Sequence, residues 1–276
     1  MNADFVLFMA PPLAACLVIV CIHAWLGLHI LARGVIFVDL ALAQLAALGA
    51  AVAVVAGFDL DGPAGYAASL GAAFLGAALF SFTRTRSSEV PQEAIIGVVY
   101  VVAAAASILA LDRSAHGAEH LKEVLVGQIL WVNWTDVGRA VGVYAVVGAL
   151  HWLCRRPFLR VSNGGEGMSA ATVRAWDFLF YASFGVVITV SVPLAGVLLV
   201  FCFLIVPALC AVLIASTFRA RLLVAWAVGF VVSAIGCILS YALDLPTGAT
   251  VVCTFGGALG LLGLIRSLPY RRAPPA

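Results

Sequence analysis

Charge is the scarcest property of this chain. Only 10% of its 276 residues are charged, where a water-soluble domain carries about a quarter. One lysine occurs in the whole sequence, Lys122, between Leu121 and Glu123. A Walker-type phosphate loop needs Gly-Lys followed by Ser or Thr, so no such loop exists here and any ATP hydrolysis belongs to a separate polypeptide. Cysteines are present but never as CxxC. Cys16, Cys21, Cys154, Cys202, Cys210, Cys237 and Cys253 all fall inside or at the ends of apolar runs, which argues against a disulfide framework or a structural zinc site. No basic region precedes the first apolar stretch, which carries Asp4 instead, so a cleaved secretory signal is not expected and Met1 is expected to begin the mature protein.

What the sequence has in abundance is apolar surface. Hydrophobic residues make up 64% of the chain, and its mean hydropathy is +1.14. No soluble fold hides that much, so the bilayer is the solvent to reason in. Backbone polar groups in lipid must be satisfied within the spanning structure. The long Ala- and Gly-rich runs favour helices over a barrel, whose segments alternate and last about ten residues. The expected class is all-α: one transmembrane domain over residues 1–276.

Runs long enough to cross a bilayer lie near 5–31, 35–57, 65–82, 94–111, 137–154, 176–192, 196–215, 222–243 and 248–265. That is nine crossings. Only the break from Ser191 to Gly196 separates the spans at 176 and 196, so eight crossings with one broken helix is the alternative. Basic residues concentrate in cytoplasmic loops. With nine spans and the N-terminus outside, Arg33, Arg84, Arg86, Arg155, Arg156, Arg160, Arg174, Arg219, Arg221, Arg266, Arg271 and Arg272 are cytoplasmic, leaving only Arg113, Lys122 and Arg139 outside. The C-terminus is then cytoplasmic.

Two loops are long. The outer one, 112–136, holds the half-apolar run Val124-Leu125-Val126-Gly127-Gln128-Ile129-Leu130-Trp131-Val132, too short to span and followed by Trp134; it reads as interfacial or re-entrant. The inner one, 155–176, is basic, passes through Ser162-Asn163-Gly164-Gly165 and ends in a short polar helix from Glu166 to Arg174. It is the best place for a cytoplasmic partner to dock, unless it is simply a solvated loop.

Ionisable groups inside hydrocarbon are costly and are functional candidates by default. Taking Arg33 as the inner turning point, His29 and Asp39 lie roughly 6 and 9 Å into the membrane, and His23 and Gln44 roughly 15 and 16 Å. The first two helices are expected to lie side by side and antiparallel, so two polar layers stack on the first hairpin. Imidazole, carboxylate and amide oxygen all suit a transition-metal ion. Asp39 and Gln44 are about 140° apart on their helix, so both cannot point straight into one lumen. For His23 an interhelical hydrogen bond is the competing role, for Asp39 a snorkelling or arginine-paired carboxylate near the interface, and His29 reads as structural. In the outer loop, His116-x-x-Glu119-His120 with Glu123 has inverzincin spacing, though it follows small residues in a loop and reads more simply as a solvated face. Gly138-x-x-x-Gly142 and Gly256-x-x-x-Gly260 have the spacing of close helix contacts, within one chain or between two.

The stretch Arg33-Gly34-Val35-Ile36-Phe37-Val38-Asp39-Leu40-Ala41-Leu42, with Glu93-Ala94-Ile95-Ile96-Gly97, Leu125-Val126-Gly127-Gln128-Ile129-Leu130, Ala195-Gly196-Val197-Leu198-Leu199, Leu204-Ile205-Val206-Pro207-Ala208 and Ser240 to Gly248, resembles the metal-cation permeases of ABC importers for zinc, manganese or iron. The resemblance implies a homodimer in a bacterial inner membrane, two cytoplasmic ATPase subunits that bind the ATP, and a periplasmic or lipid-anchored metal-binding protein. It implies no cofactor in this chain beyond the transported ion. It makes Asp39 the pore carboxylate and gives the inner loop, with Glu166, Met168 and Arg174, to ATPase coupling. The family's histidine four residues after the aspartate is absent: Ala43 stands there, and Gln44 is the nearest polar residue. The function expected is import by alternating access, with Asp39 the principal transient ligand and Gln44 and His23 in support. The rival is an ion-coupled carrier or channel without an ATPase.

Overall fold

A computed structural model describes residues 3–59, 62–84, 90–112 and 127–267. Among them no strand occurs. The elements are α1 (Ala3–Arg33), α2 (Val38–Val55), α3 (Pro63–Phe82), α4 (Gln92–Leu111), a 3-10 turn (Ile129–Trp131), α5 (Trp134–Leu153), α6 (Arg155–Ser162), α7 (Ala170–Ile214), α8 (Phe218–Leu243) and α9 (Thr247–Ser267). Local chemistry sets several of the boundaries. Pro63 begins α3 at a position where its missing N–H costs nothing. Asn133 and Asp136 cap α5 reciprocally, and Ser169 and Thr217 accept backbone N–H bonds at the starts of α7 and α8.

Among the described residues seven helices are long and apolar enough to cross a membrane, and α5 joins them when taken with α6, which it meets at a 76° bend. Helix α7 has 45 residues, a straight length of roughly 67 Å, about twice the hydrocarbon thickness. It is not straight. Gly196 sits at φ 77°, ψ 156°, a conformation open to glycine alone, and Pro193 just before it weakens the helix. Phe180, before the break, and Phe218, after the helix ends, both pack on the ring of His29, at centroid distances of 5.7 and 5.4 Å. The backbone at Ala195 and Gly196 instead lies against Gly127, beside the start of α5 and so at the other end of the bundle. Helix α7 therefore reverses at Gly196 and traverses the bundle twice, making nine traverses among the described residues.

The two passes of α7 form the spine. The first lies against α3, where Gly185 meets Ala73, and the second against α9, where Phe203 meets Phe255. Helix α1 packs on both passes, on α8 and on α5, whereas α2 packs on α3, α4 and α7. The expected antiparallel pairing of α1 with α2 is not formed. Gly34, at φ 69°, closes α1 in a left-handed turn, and α2 then fits the small-residue surfaces of its other neighbours: a Cβ on Gly49 would collide with the Ala68 carbonyl. Two further expectations change, for the inner loop, and two are narrowed, for the outer run and the glycine pairs. The polar helix expected over 166–174 is a turn through Gly164, Gly165 and Gly167, all at positive φ, with Arg174 already on α7, and the preceding basic stretch is itself helical as α6. The outer run is described from Gly127 onward. There Ile129 and Val132 are buried beneath an exposed Trp131, so this part is a wedge packed into the bundle. Gly138, Gly142, Gly256 and Gly260 meet none of the described residues, so neither glycine pair mediates packing among them.

One end of the bundle carries Arg33, Arg84, the three arginines of α6, Arg174, Arg219, Arg221 and Arg266, while Arg139 lies at the other. The first is called the basic end below.

Candidate functional site

Asp39 sits in the first turn of α2 at the basic end, following the tight 34–37 turn that joins it to Arg33. Its residue exposure is 1%, and neither carboxylate oxygen has a hydrogen-bond partner. The positive end of the helix dipole favours an acid there. That is weak compensation for a carboxylate held away from water, which ordinarily carries several hydrogen bonds or a counter-ion. Nearby, the Phe37 backbone N–H donates to Glu93 Oε1 at 2.9 Å, while Glu93 Oε2 is buried without a partner. Gln44 is also buried, at 5% exposure, on the same helix.

His23 lies elsewhere. It is fully buried on α1, hydrogen-bonded through Nδ1 to the Ile19 carbonyl at 2.9 Å, with its ring edge-on to Tyr144 of α5. The Tyr144 hydroxyl pairs with Ser191 Oγ at 2.6 Å. Bonding of Nδ1 to a carbonyl places the proton there, so Nε2 is a free lone pair, and it has no partner. Because α1 and α2 do not pack together, the two polar layers do not stack: Asp39 and Gln44 are carried by α2, about 140° apart around its axis, and His23 by α1. His29 bonds through Nδ1 to Ser162 Oγ at 2.8 Å, a structural contact between α1 and α6. His116, Glu119, His120 and Glu123 lie outside the described residues. Among the described residues no group of three metal-ligating side chains converges.

A second buried carboxylate was not picked out by the sequence reading. Asp177, in the first pass of α7, is fully buried. Arg33 of α1 bonds its Oδ1, and Arg84, just beyond α3, donates to Oδ1 at 2.8 Å and Oδ2 at 2.7 Å. The same arginines hold the end of α6: Arg84 donates to the Val161 carbonyl at 3.0 Å, and Arg33 Nε to Ser162 Oγ at 3.0 Å. The Arg33 guanidinium also lies 3.9 Å from the centre of the Phe180 ring. The signal was available, since an acid at 177 inside a predicted span invites the scrutiny given to Asp39. His151 was likewise overlooked. It accepts from Trp25 Nε1 at 3.1 Å and pairs with Ser183 Oγ at 2.8 Å, a fully satisfied histidine that ties α5 to α1 and α7.

Of the expected coupling residues, Glu166 and Met168 lie in the glycine turn and Arg174 on the first turns of α7, all at the basic end. Arg160 Nε donates to the Glu166 carbonyl at 3.0 Å and fixes the turn on α6.

Comparison with known proteins bears on this arrangement. The chain is 26% identical over 252 residues, 89% of each chain, to a probable iron transport system membrane protein of Haemophilus influenzae. It is 28% identical over 233 residues, 82% of this chain and 79% of the other, to the manganese transport system membrane protein MntC of Listeria monocytogenes. A match to a probable metal transport system membrane protein of Chlamydia trachomatis is 24% identical and spans 67% of this chain but 64% of the relative's length. In fold the chain is similar to a structure of PsaBC from Streptococcus pneumoniae in complex with Fab, with a TM-score of 0.76 at 22% identity over 95% of both chains. The model of the ABC 3 transport family matches residues 6–265, nearly the whole chain, and the protein belongs to that family.

Proposed function

We propose that this chain is the membrane permease subunit of an ATP-driven importer of a divalent transition metal ion. Two copies would form the pathway, with ATPase subunits as separate chains at the basic end and a binding protein delivering the ion at the other. The positive-inside rule makes the basic end cytoplasmic, with the N-terminus outside and the C-terminus inside a bacterial inner membrane. Zinc, manganese and iron are the candidate cargoes, and relatives named for manganese and iron transport support that class.

The observation that carries the reading is Asp39, a carboxylate inside a membrane helix with both oxygens unpaired. Its principal role is that of a transient ligand, with Gln44 on the same helix in support. His23 has a free lone pair on a different helix and serves as a further station. One charged ligand with neutral ones suits transport, which needs binding weak enough to release; a second copy would add a second such set. The 155–176 segment, with Glu166, Met168 and Arg174, supplies the ATPase docking surface.

The test is uptake of manganese(II), zinc(II) and iron(II) into vesicles holding the permease with its ATPase subunits. Asp39→Ala is expected to lower uptake by at least about tenfold while insertion and assembly with the ATPase persist. Uptake at the wild-type rate by that variant would make the carboxylate structural.

A further inference from the structure

The ATPase docking segment and Asp39 lie at the same end of the molecule but on different surfaces, and one cluster of side chains joins them. The docking turn, residues 163–168, has two stems: α6 before it and the first turns of α7 after it. Asp177 belongs to the second stem. Val161 and Ser162 belong to the first. Arg84 bonds both stems at once, through Asp177 and the Val161 carbonyl. Arg33 does the same, through Asp177 and Ser162. Arg33 is also the last residue of α1, and the compact 34–37 turn leads from it to Asp39.

Burial makes the cluster a rigid one. The side chains of Arg33 and Asp177 are 2% and 0% exposed, and that of Arg84 is 22% exposed. A single carboxylate serving two guanidiniums in that setting cannot be released without leaving charges unpaired away from water. Packing and hydrogen bonds then transmit displacement with little compliance.

We propose that Asp177, clamped between Arg33 and Arg84, is the joint through which a displacement of the ATPase docking segment reaches the Asp39 ion site. This rests on the permease reading above. The three are positioning residues, and none of them contacts the ion. Movement of the docking turn shifts α6 and the start of α7 together. The arginines pass that shift to the end of α1 and the end of α3, and the short 34–37 turn hands it to Asp39.

The experiment measures metal ions moved per ATP hydrolysed, in vesicles containing permease and ATPase subunits, with manganese(II) and zinc(II) as probes. The wild type is assayed first. If it hydrolyses ATP and moves neither ion, the permease reading fails before the joint is addressed. The informative variant replaces the whole cluster by apolar side chains, Arg33→Met with Arg84→Met and Asp177→Leu, which leaves no unpaired charge and so spares the fold. ATP hydrolysis is expected to continue while ions moved per ATP fall by about tenfold, within the ordinary range of coupling between sites. Arg84→Lys serves if the triple variant does not assemble. Its ammonium can still pair with Asp177 but lacks the fork that also reaches Val161, and the ratio should fall here as well. An unchanged ratio in an assembled variant, whether or not both rates drop together through loss of folded protein, overturns the joint.

Discussion

Two aspartates of this chain are buried in the same half of the same bundle, and their surroundings are opposite. Asp177 has two guanidiniums for one carboxylate; Asp39 has no hydrogen-bond partner at either oxygen. Both are at or below 1% exposure, so depth does not separate them. A carboxylate taken out of water and then fully paired is part of the framework, since removing either side strands the other. A carboxylate taken out of water and left unpaired is a standing cost that the helix dipole alone offsets only weakly. A cation that visits and leaves would account for it. The first holds helices together; on the function proposed above, the second takes the cargo.

The largest effect on stability is expected from breaking the paired centre. Asp177→Ala leaves Arg33 and Arg84 facing one another in a dry site and should cost about 3–5 kcal/mol, the usual penalty for halving a buried ion pair. Chemical denaturation in detergent, followed by tryptophan fluorescence, measures it. A loss below 1 kcal/mol would mean the arginines find other partners. The contrast sharpens with Ser162→Ala, which touches only the rim of the same centre. It removes the acceptor of Arg33 Nε and the partner of His29 Nδ1, and a drop of about 1–3 kcal/mol is expected for groups left unsatisfied when buried. The same denaturation series ranks the two.

The extent to which this was legible in the sequence follows the same division. Hydropathy marked each of the nine traverses made by the described residues, because a crossing needs about 20 largely apolar residues whatever it packs against. The reversal at Gly196 was visible as a Pro and Gly break. Neighbours were not legible. Adjacency in sequence suggested that α1 and α2 pair, yet α2 packs on α3 and α4, because shape complementarity between small-residue surfaces decides helix contacts in lipid and hydropathy carries no record of it. That is why Asp39 with His29, and Gln44 with His23, all buried as expected, were wrongly stacked side by side. It is also why the partners of Asp177 stayed hidden: Arg33 and Arg84 are 144 and 93 residues away from it. The break at Gly164 and Gly165 was visible, but the chain from Glu166 was expected to be helical at once and turns again at Gly167 before α7 starts at Ala170. The basic run before the break was not read as helix, since eight residues are too few for a period to show.

The smallest stability effect, and the sharpest test of the contrast, belongs to Asp39→Ala. The substitution removes a charge that has no partner in this chain, so stability without metal should stay within about 1 kcal/mol of wild type, or rise, because no pair is broken and one desolvation cost disappears. Metal should then divide the two proteins. A ligand that binds only the folded state stabilises it by about 2.7 kcal/mol at a hundred times its dissociation constant. Thermal unfolding of the wild type should therefore move upward with added manganese(II) or zinc(II), and that shift should vanish in Asp39→Ala. Ser162→Ala, with its ion site untouched, should start lower and still rise by the same amount. A metal shift of equal size in wild type and Asp39→Ala would move the ion site away from this carboxylate. Loss of several kcal/mol in Asp39→Ala without metal would show that it has a structural counter-charge, and the two aspartates would then differ only in which partner they keep.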